Sequence, residues 1–126
     1  MTTIEALLKL TRRVGANQID DHDTRLVVQD LFAIALKELF SEEWYLETYP
    51  DVRAAVDADE VRSGLRHFVE SGVHEGRMPF PVQINERHYA STHLDVSRSV
   101  VGKTYNSCSD HFHKIGFWEG REVVFT

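Results

Sequence analysis

Shifted by 44 residues, the chain aligns with itself: Phe40–Pro79 falls on Ile84–Val123 without a gap. The two segments share 13 identical pairs, and these concentrate in xYxxTxxDV and HFxxxGxxEGR. A constant offset without insertion marks a duplicated supersecondary unit, which confines the fold to something built from two similar pieces. The shared residues that carry this pattern are Asp51, His67, Gly72, Glu75, Gly76 and Arg77 in the first copy. Their counterparts in the second are Asp95, His111, Gly116, Glu119, Gly120 and Arg121.

Each copy reads as three short helices. Phe40-Ser41-Glu42-Glu43-Trp44-Tyr45 has Ser41 as N-cap, acids in the first turn and Phe40 stapled to Tyr45. Ile84 to Tyr89 repeats this with Asn85 as cap. Pro50 drives Tyr49 out of helical geometry and opens a second helix through Val56. Leu94 replaces it in the second copy and softens the break. A third helix is expected after Asp59, with Val61, Leu65 and Phe68 at i, i+4, i+7. Gly72 is expected in the left-handed C′ position of a Schellman ending, folding Val73 onto Phe68, and Phe117 onto Phe112 in the second copy. Gly76 and Gly120 allow a further reversal. Arg77 and Arg121 are placed to pair with Asp51/Asp95 or Glu75/Glu119.

Ahead of the repeats, Thr3 is expected to cap a helix from Ile4 to about Val14, closed by Gly15. A second helix is expected over about 24–39, and its apolar residues cover more than one stripe. A helix at the surface of one domain needs a single apolar face. Val28, Phe32, Ala35 and Leu39 are therefore assigned to a helix shared with a second subunit, a homodimer through residues 1–39. The expected fold is all-α: an N-terminal helical hairpin (1–39) followed by two tandem three-helix repeats (40–79 and 84–123), in one domain spanning 1–126. Met78-Pro79-Phe80-Pro81 reads as a short stiff spacer and 122–126 as an apolar tail that caps the stack. Nothing reads as β-sheet.

Charge narrows the partners. The net charge is −6, and residues 40–83 alone carry nine acids against four bases. Without a basic stripe, the chain is a poor ligand for nucleic acid or for an anionic membrane surface. No apolar run has the length of a membrane span, and the N-terminus lacks the layout of a signal peptide. The lone Cys108 excludes an intrachain disulfide framework and suits a reducing compartment, so the cytoplasm is expected.

Among chemical candidates, Cys108, His111 and His113 lie close in sequence, with His88 and His93 in the same copy. Cys-x2-His-x-His is not a zinc spacing, and no matching second cluster accompanies it. Cys108 with His111 one helical turn away is the only arrangement resembling a nucleophile and base, and Gly64 occupies the thiol's place in the first copy. No catalytic, cofactor or metal residue is assigned, and the chain is read as not an enzyme. Glu42, Glu43 and Glu47 are read as a solvated face. His67 and His111, being equivalent, are read as scaffold residues bonding across helices. Function is sought where the copies differ: Trp44 against His88, and His74 against Trp118. These four are taken as an interaction surface, with Trp44 and Trp118 exposed.

The pattern F-(S/D)-xx-(W/Y)-Y-L-xx-(Y/N)-P-D-V-xx-A, followed by H-(F/Y)-xxx-G-xx-E-G-R-x-P, resembles the short tandem helical repeats that accompany bacterial glycosyltransferases and other polysaccharide-assembly proteins. Phe40, Trp44, Tyr45, Leu46, Tyr49, Pro50, Asp51, Val52, Ala55, His67, Phe68, Gly72, Glu75, Gly76, Arg77 and Pro79 match in the first copy. The second keeps Tyr89, Asp95, Val96, His111, Phe112, Gly116, Glu119, Gly120 and Arg121 and loses both prolines. The resemblance implies an accessory module whose catalytic partner lies elsewhere, and this chain has no glycine-rich phosphate loop or βα alternation of its own. The expected function is a non-catalytic adaptor that binds another protein, beside envelope or polysaccharide assembly. A small ligand- or glycan-binding regulator is the second expectation, and an enzyme centred on Cys108 and His111 the third.

Overall fold

A computed structural model describes residues 2–126, and it is all-helical: the described residues contain no β-strand, only one isolated antiparallel bridge, between Ile84 and Phe125. The chain separates into two compact units, Met1–Phe80 and Pro81–Thr126.

The first unit opens with α1, Thr3–Ala16. Thr2, not Thr3, is its cap, because only from Thr2 does Glu5 fall at the third helical position and complete a capping box. Gly15 stays inside the helix, and Asn17 ends it, its side-chain amide donating to the Arg13 carbonyl at 2.6 Å. Helix α2, His22–Leu36, is capped by the Asp21 carboxylate, which accepts the Thr24 N–H at 2.9 Å. It stops three residues short of the expected Leu39, where the N–H groups of Leu39 and Phe40 both turn back to the Leu36 carbonyl. Next come α3, Glu42–Thr48, and α4, Pro50–Asp57. The Phe40 ring lies 5.1 Å from Tyr45, as a staple requires.

Helix α5, Gly64–Glu70, begins later than the sequence implies. Asp59 takes a left-handed turn at φ 57° and Ser63 supplies the cap, leaving Val61 outside the helix. A 3-10 turn, Gly72–His74, follows. Helix α1 lies chiefly against that turn, α2 against α5, and α3 and α4 flank α5. The buried set is Leu8, Phe32, Leu36, Tyr45, Val52, Phe68, Val69 and Val73, with the Phe68 ring within 6.2 Å of Phe32, Phe40 and Tyr45.

Gly72 is not a left-handed cap. The positive-φ glycines are Gly76 (80°) and Gly120 (73°), while Gly116 is right-handed at φ −58°. Gly72 and Gly116 are glycines for space: a Cβ at either would collide with the hydroxyl of Tyr45 or Tyr89. Met78 and Phe80 are buried, and the Met78 N–H donates to the Tyr49 hydroxyl at 2.9 Å, so this stretch is packed chain and no free spacer.

The second unit comprises α6, Glu86–Thr92; α7, Leu94–Val101; α8, Cys108–His111; a π-helical turn, Phe112–Gly116; and α9, Phe117–Glu119. The break between α6 and α7 survives the loss of proline. His93 sits at φ −119°, ψ 84°, and Tyr49 at φ −122°, ψ 81°. Lys103 repeats the left-handed turn of Asp59 at φ 65°. The tail folds back inside the unit: Asn85 donates to the Val124 carbonyl at 2.7 Å and Thr126 to that of Gln83 at 3.0 Å.

Candidate functional site

The polar residues shared by the two copies spend their hydrogen bonds on the scaffold. The Glu42 carboxylate accepts the N–H groups of Gly64 and Leu65 at 3.0 and 2.7 Å, and Glu86 accepts those of Cys108 and Ser109 at 3.0 and 2.9 Å. Glu42 therefore satisfies orphan donors at the start of α5, a different helix from its own, and is no solvated bystander. Arg77 forks onto Asp51 at 2.9 and 2.6 Å, and Arg121 onto Asp95 at 2.8 and 2.7 Å. Each also reaches the nearby glutamate, Glu75 or Glu119, at 3.2 Å. The fork holds the Asp51 carboxyl down at about 2.

A carboxylate, an imidazole and a hydroxyl line up in each unit, an arrangement known from nucleophilic catalysis. Nε2 of His67 lies 3.6 Å from Glu75 and its Nδ1 2.9 Å from the Tyr45 hydroxyl. His111 repeats this with Glu119 at 3.7 Å and Tyr89 at 2.9 Å. The carboxylate favours the ring proton on Nε2, so Nδ1 accepts from the tyrosine O–H. Tyr45 and Tyr89 are 0% exposed, and burial pushes the Tyr89 hydroxyl up to about 12 and raises that of Tyr45 too. A hydroxyl that no substrate reaches and that keeps its proton serves as a strut.

Burial lowers the pKa of both His67 and His111. An unfolded chain protonates these rings first, so their contribution to stability is full above about pH 6.5 and is lost as pH falls toward the depressed folded values. Thermal unfolding followed between pH 7.5 and 5 should show a falling midpoint. Tyr45→Phe combined with His67→Phe should flatten the part that comes from the first unit.

The thiol is equally quiet. Cys108 is buried, and burial, with the Glu86 carboxylate beside it, pushes its pKa up to about 11. His111 is engaged with Tyr89 and Glu119. His113 receives the Val82 N–H on Nε2 at 3.0 Å and bonds the Ser109 carbonyl through Nδ1 at 2.7 Å. His93 donates from Nε2 to the Glu122 carbonyl at 2.7 Å, the place where Tyr49 receives the Met78 N–H. No group of three or more His, Cys, Asp or Glu among the described residues is arranged to hold a metal ion.

Of the four positions taken as an interaction surface, only His74 is exposed, and its Nδ1 lies 3.3 Å from the Gly15 carbonyl at the end of α1. Trp44 is half-buried, edge-on to Tyr49 at 6.3 Å. His88 and Trp118 are half-buried too, with His88 Nδ1 and Trp118 Nε1 enclosed. Neither tryptophan is an exposed platform.

Exposed large apolar side chains gather most densely on α2. Val27 is 58% exposed, Leu31 62% and Ile34 70%, with Leu26 and Ala35 exposed beside them. Their i, i+4, i+7 spacing makes one stripe. Phe32, assigned from sequence to a shared face, is 3% exposed and packs against the tilted Phe68 ring, so it belongs to the core of its own unit; Val28 and Leu39 are half-buried. The sequence contained the signal for the right stripe. Residues 27, 31 and 34 are uninterruptedly apolar, whereas the register through Phe32 and Leu36 also carries Arg25 and Gln29.

A second surface feature is a polar depression of about 310 Å³ in the first unit. Gln18, Asp20, Arg25, Gln29, Glu70 and His74 line it. Arg25 also reaches His22, at 3.2 Å. No helix among the described residues is long and apolar enough to cross a membrane. Comparison of the chain with protein-family models, with curated proteins and with solved structures finds no match.

Proposed function

We propose that this protein is a non-catalytic interaction module that docks another protein chain through α2. The observation that carries this reading is the stripe of Val27, Leu31 and Ile34, three aliphatic side chains more than half exposed on one helix face. Each exposed aliphatic side chain of this size forgoes roughly 1–2 kcal/mol of burial, so a stripe of three favours being covered. The buried Cys108 thiol and the enclosed tyrosine hydroxyls support a role without nucleophilic catalysis. The duplicated motif, similar to repeats that accompany polysaccharide-assembly proteins, makes cytoplasmic machinery for envelope glycans the setting we favour.

The depression lined by Arg25, Gln29 and His74 supports a second reading, a small polar ligand. Complementation of a deletion strain separates the two. Under the docking reading, Ile34→Asp fails to complement while the purified variant keeps its circular dichroism, and Arg25→Ala complements fully. The reverse pattern would sink docking and favour the ligand.

A further inference from the structure

We infer that the partner on α2 is a second copy of this chain, with the two α2 helices packed antiparallel. This rests on the docking reading above and gives its occupant. Thr24, Val27, Leu31 and Ile34 succeed one another at steps of three, four and three residues, the alternation that keeps a seam facing one neighbour along a helix. Antiparallel alignment of Val27 with Leu31 of the second copy also sets Thr24 against Ile34, so each layer of the seam contains at least one aliphatic side chain.

Charge selects the direction. On the wheel of α2, Asp23, Asp30 and Lys37 share one flank of the stripe. Antiparallel packing brings like flanks together end to end, so Lys37 of each copy meets Asp23 of the other. Parallel packing would set this flank against the opposite one, which carries Val28 and Ala35, and leave Asp23 and Lys37 without a counter-charge. Asp23 and Lys37 are exposed, and no ion pair among the described residues claims either. Asp30, which the two-fold axis would set near its own copy, already carries a counter-charge in Arg66 at 3.0 Å. Opposed helix dipoles favour the same direction. A surface with this order of charges complements itself, which gives a second copy the advantage over an unrelated helix. One helix face is smaller than the roughly 800 Å² per partner of a standard interface, so the dimer should dissociate on dilution.

Sedimentation equilibrium of the full chain reads this directly. The weight-average mass should climb from the monomer's 14.5 kDa toward twice that value with concentration. Leu31→Asp should hold it at monomer over the same range with unchanged circular dichroism. Lys37→Asp should weaken the dimer at least about fivefold, and adding Asp23→Lys should restore it. For direction, Val27→Cys and Leu31→Cys proteins should form a disulfide faster when mixed than either does alone. A wild-type chain that stays monomeric at the highest concentration overturns the inference, as does faster self-crosslinking of the separate cysteine variants. A dimer indifferent to Leu31→Asp does so too. If the chain is monomeric but Ile34→Asp still fails to complement, docking through α2 stands and only the identity of its partner falls.

Discussion

Gly72→Ala should destabilise the first unit by about 3 kcal/mol, although the backbone at that position is ordinary for an alanine. The methyl would occupy the place of the Tyr45 hydroxyl, with the Phe68 ring only 3.2 Å away. Overpacking of this kind costs about 1–3 kcal/mol. Moving the hydroxyl also breaks its bond to His67, leaving a buried polar atom unpaired at a further ~1–3 kcal/mol. Urea unfolding of a Trp118→Phe background, with Trp44 as the remaining indole, reports the first unit. The mechanism has its own check, because Tyr45→Phe removes the atom the new methyl meets. In that background Gly72→Ala should cost about 1–2 kcal/mol less, a coupling typical of residues in contact. An equal cost in both backgrounds would mean that the glycine is needed for backbone freedom and not for space. Gly116 and Tyr89 should behave alike in the second unit, where the same collision occurs.

That pair of glycines shows what was legible in the sequence and what was not. Their recurrence announced that they matter, but a glycine required for φ and one required for room look identical in a sequence. Only the tyrosine hydroxyl, 27 residues earlier in each copy, distinguishes them. Helix starts are legible at Ser41 and Asn85, where the cap directly follows an apolar staple residue, and not at Thr2, which a second threonine follows, or at Ser63. The pairings of Arg77 and Arg121 with Asp51 and Asp95 were readable because opposite charges recurred together. The role of Glu42 is not legible because the donors it satisfies lie 22 and 23 residues away, at the start of another helix. The break at Pro50 recurs at His93 and Leu94 without a proline, so contacts shared by both copies set the bend.

The face of α2 was the costliest ambiguity, and one pair of substitutions decides it. Phe32→Ala should cost about 3–4 kcal/mol, because a 3%-exposed ring packed against Phe68 leaves a cavity when truncated. Leu31→Ala, one residue earlier, should stay within about 0.5 kcal/mol in the dilute monomer, since its side chain is 62% exposed and leaves no void. Helix propensity cannot supply that contrast, because Ala favours both sites. The first unit's unfolding transition, read by Trp44 at micromolar protein, gives both values. Equal losses at the two positions would place α2 in a different rotation and remove the exposed stripe on which the docking reading stands. A large loss at Phe32 alone fixes which face the fold consumes and which it leaves for a partner. One face of α2 stays open for a physical reason: the helix packs against a short helix of seven residues, too small to cover apolar side chains on both of its faces.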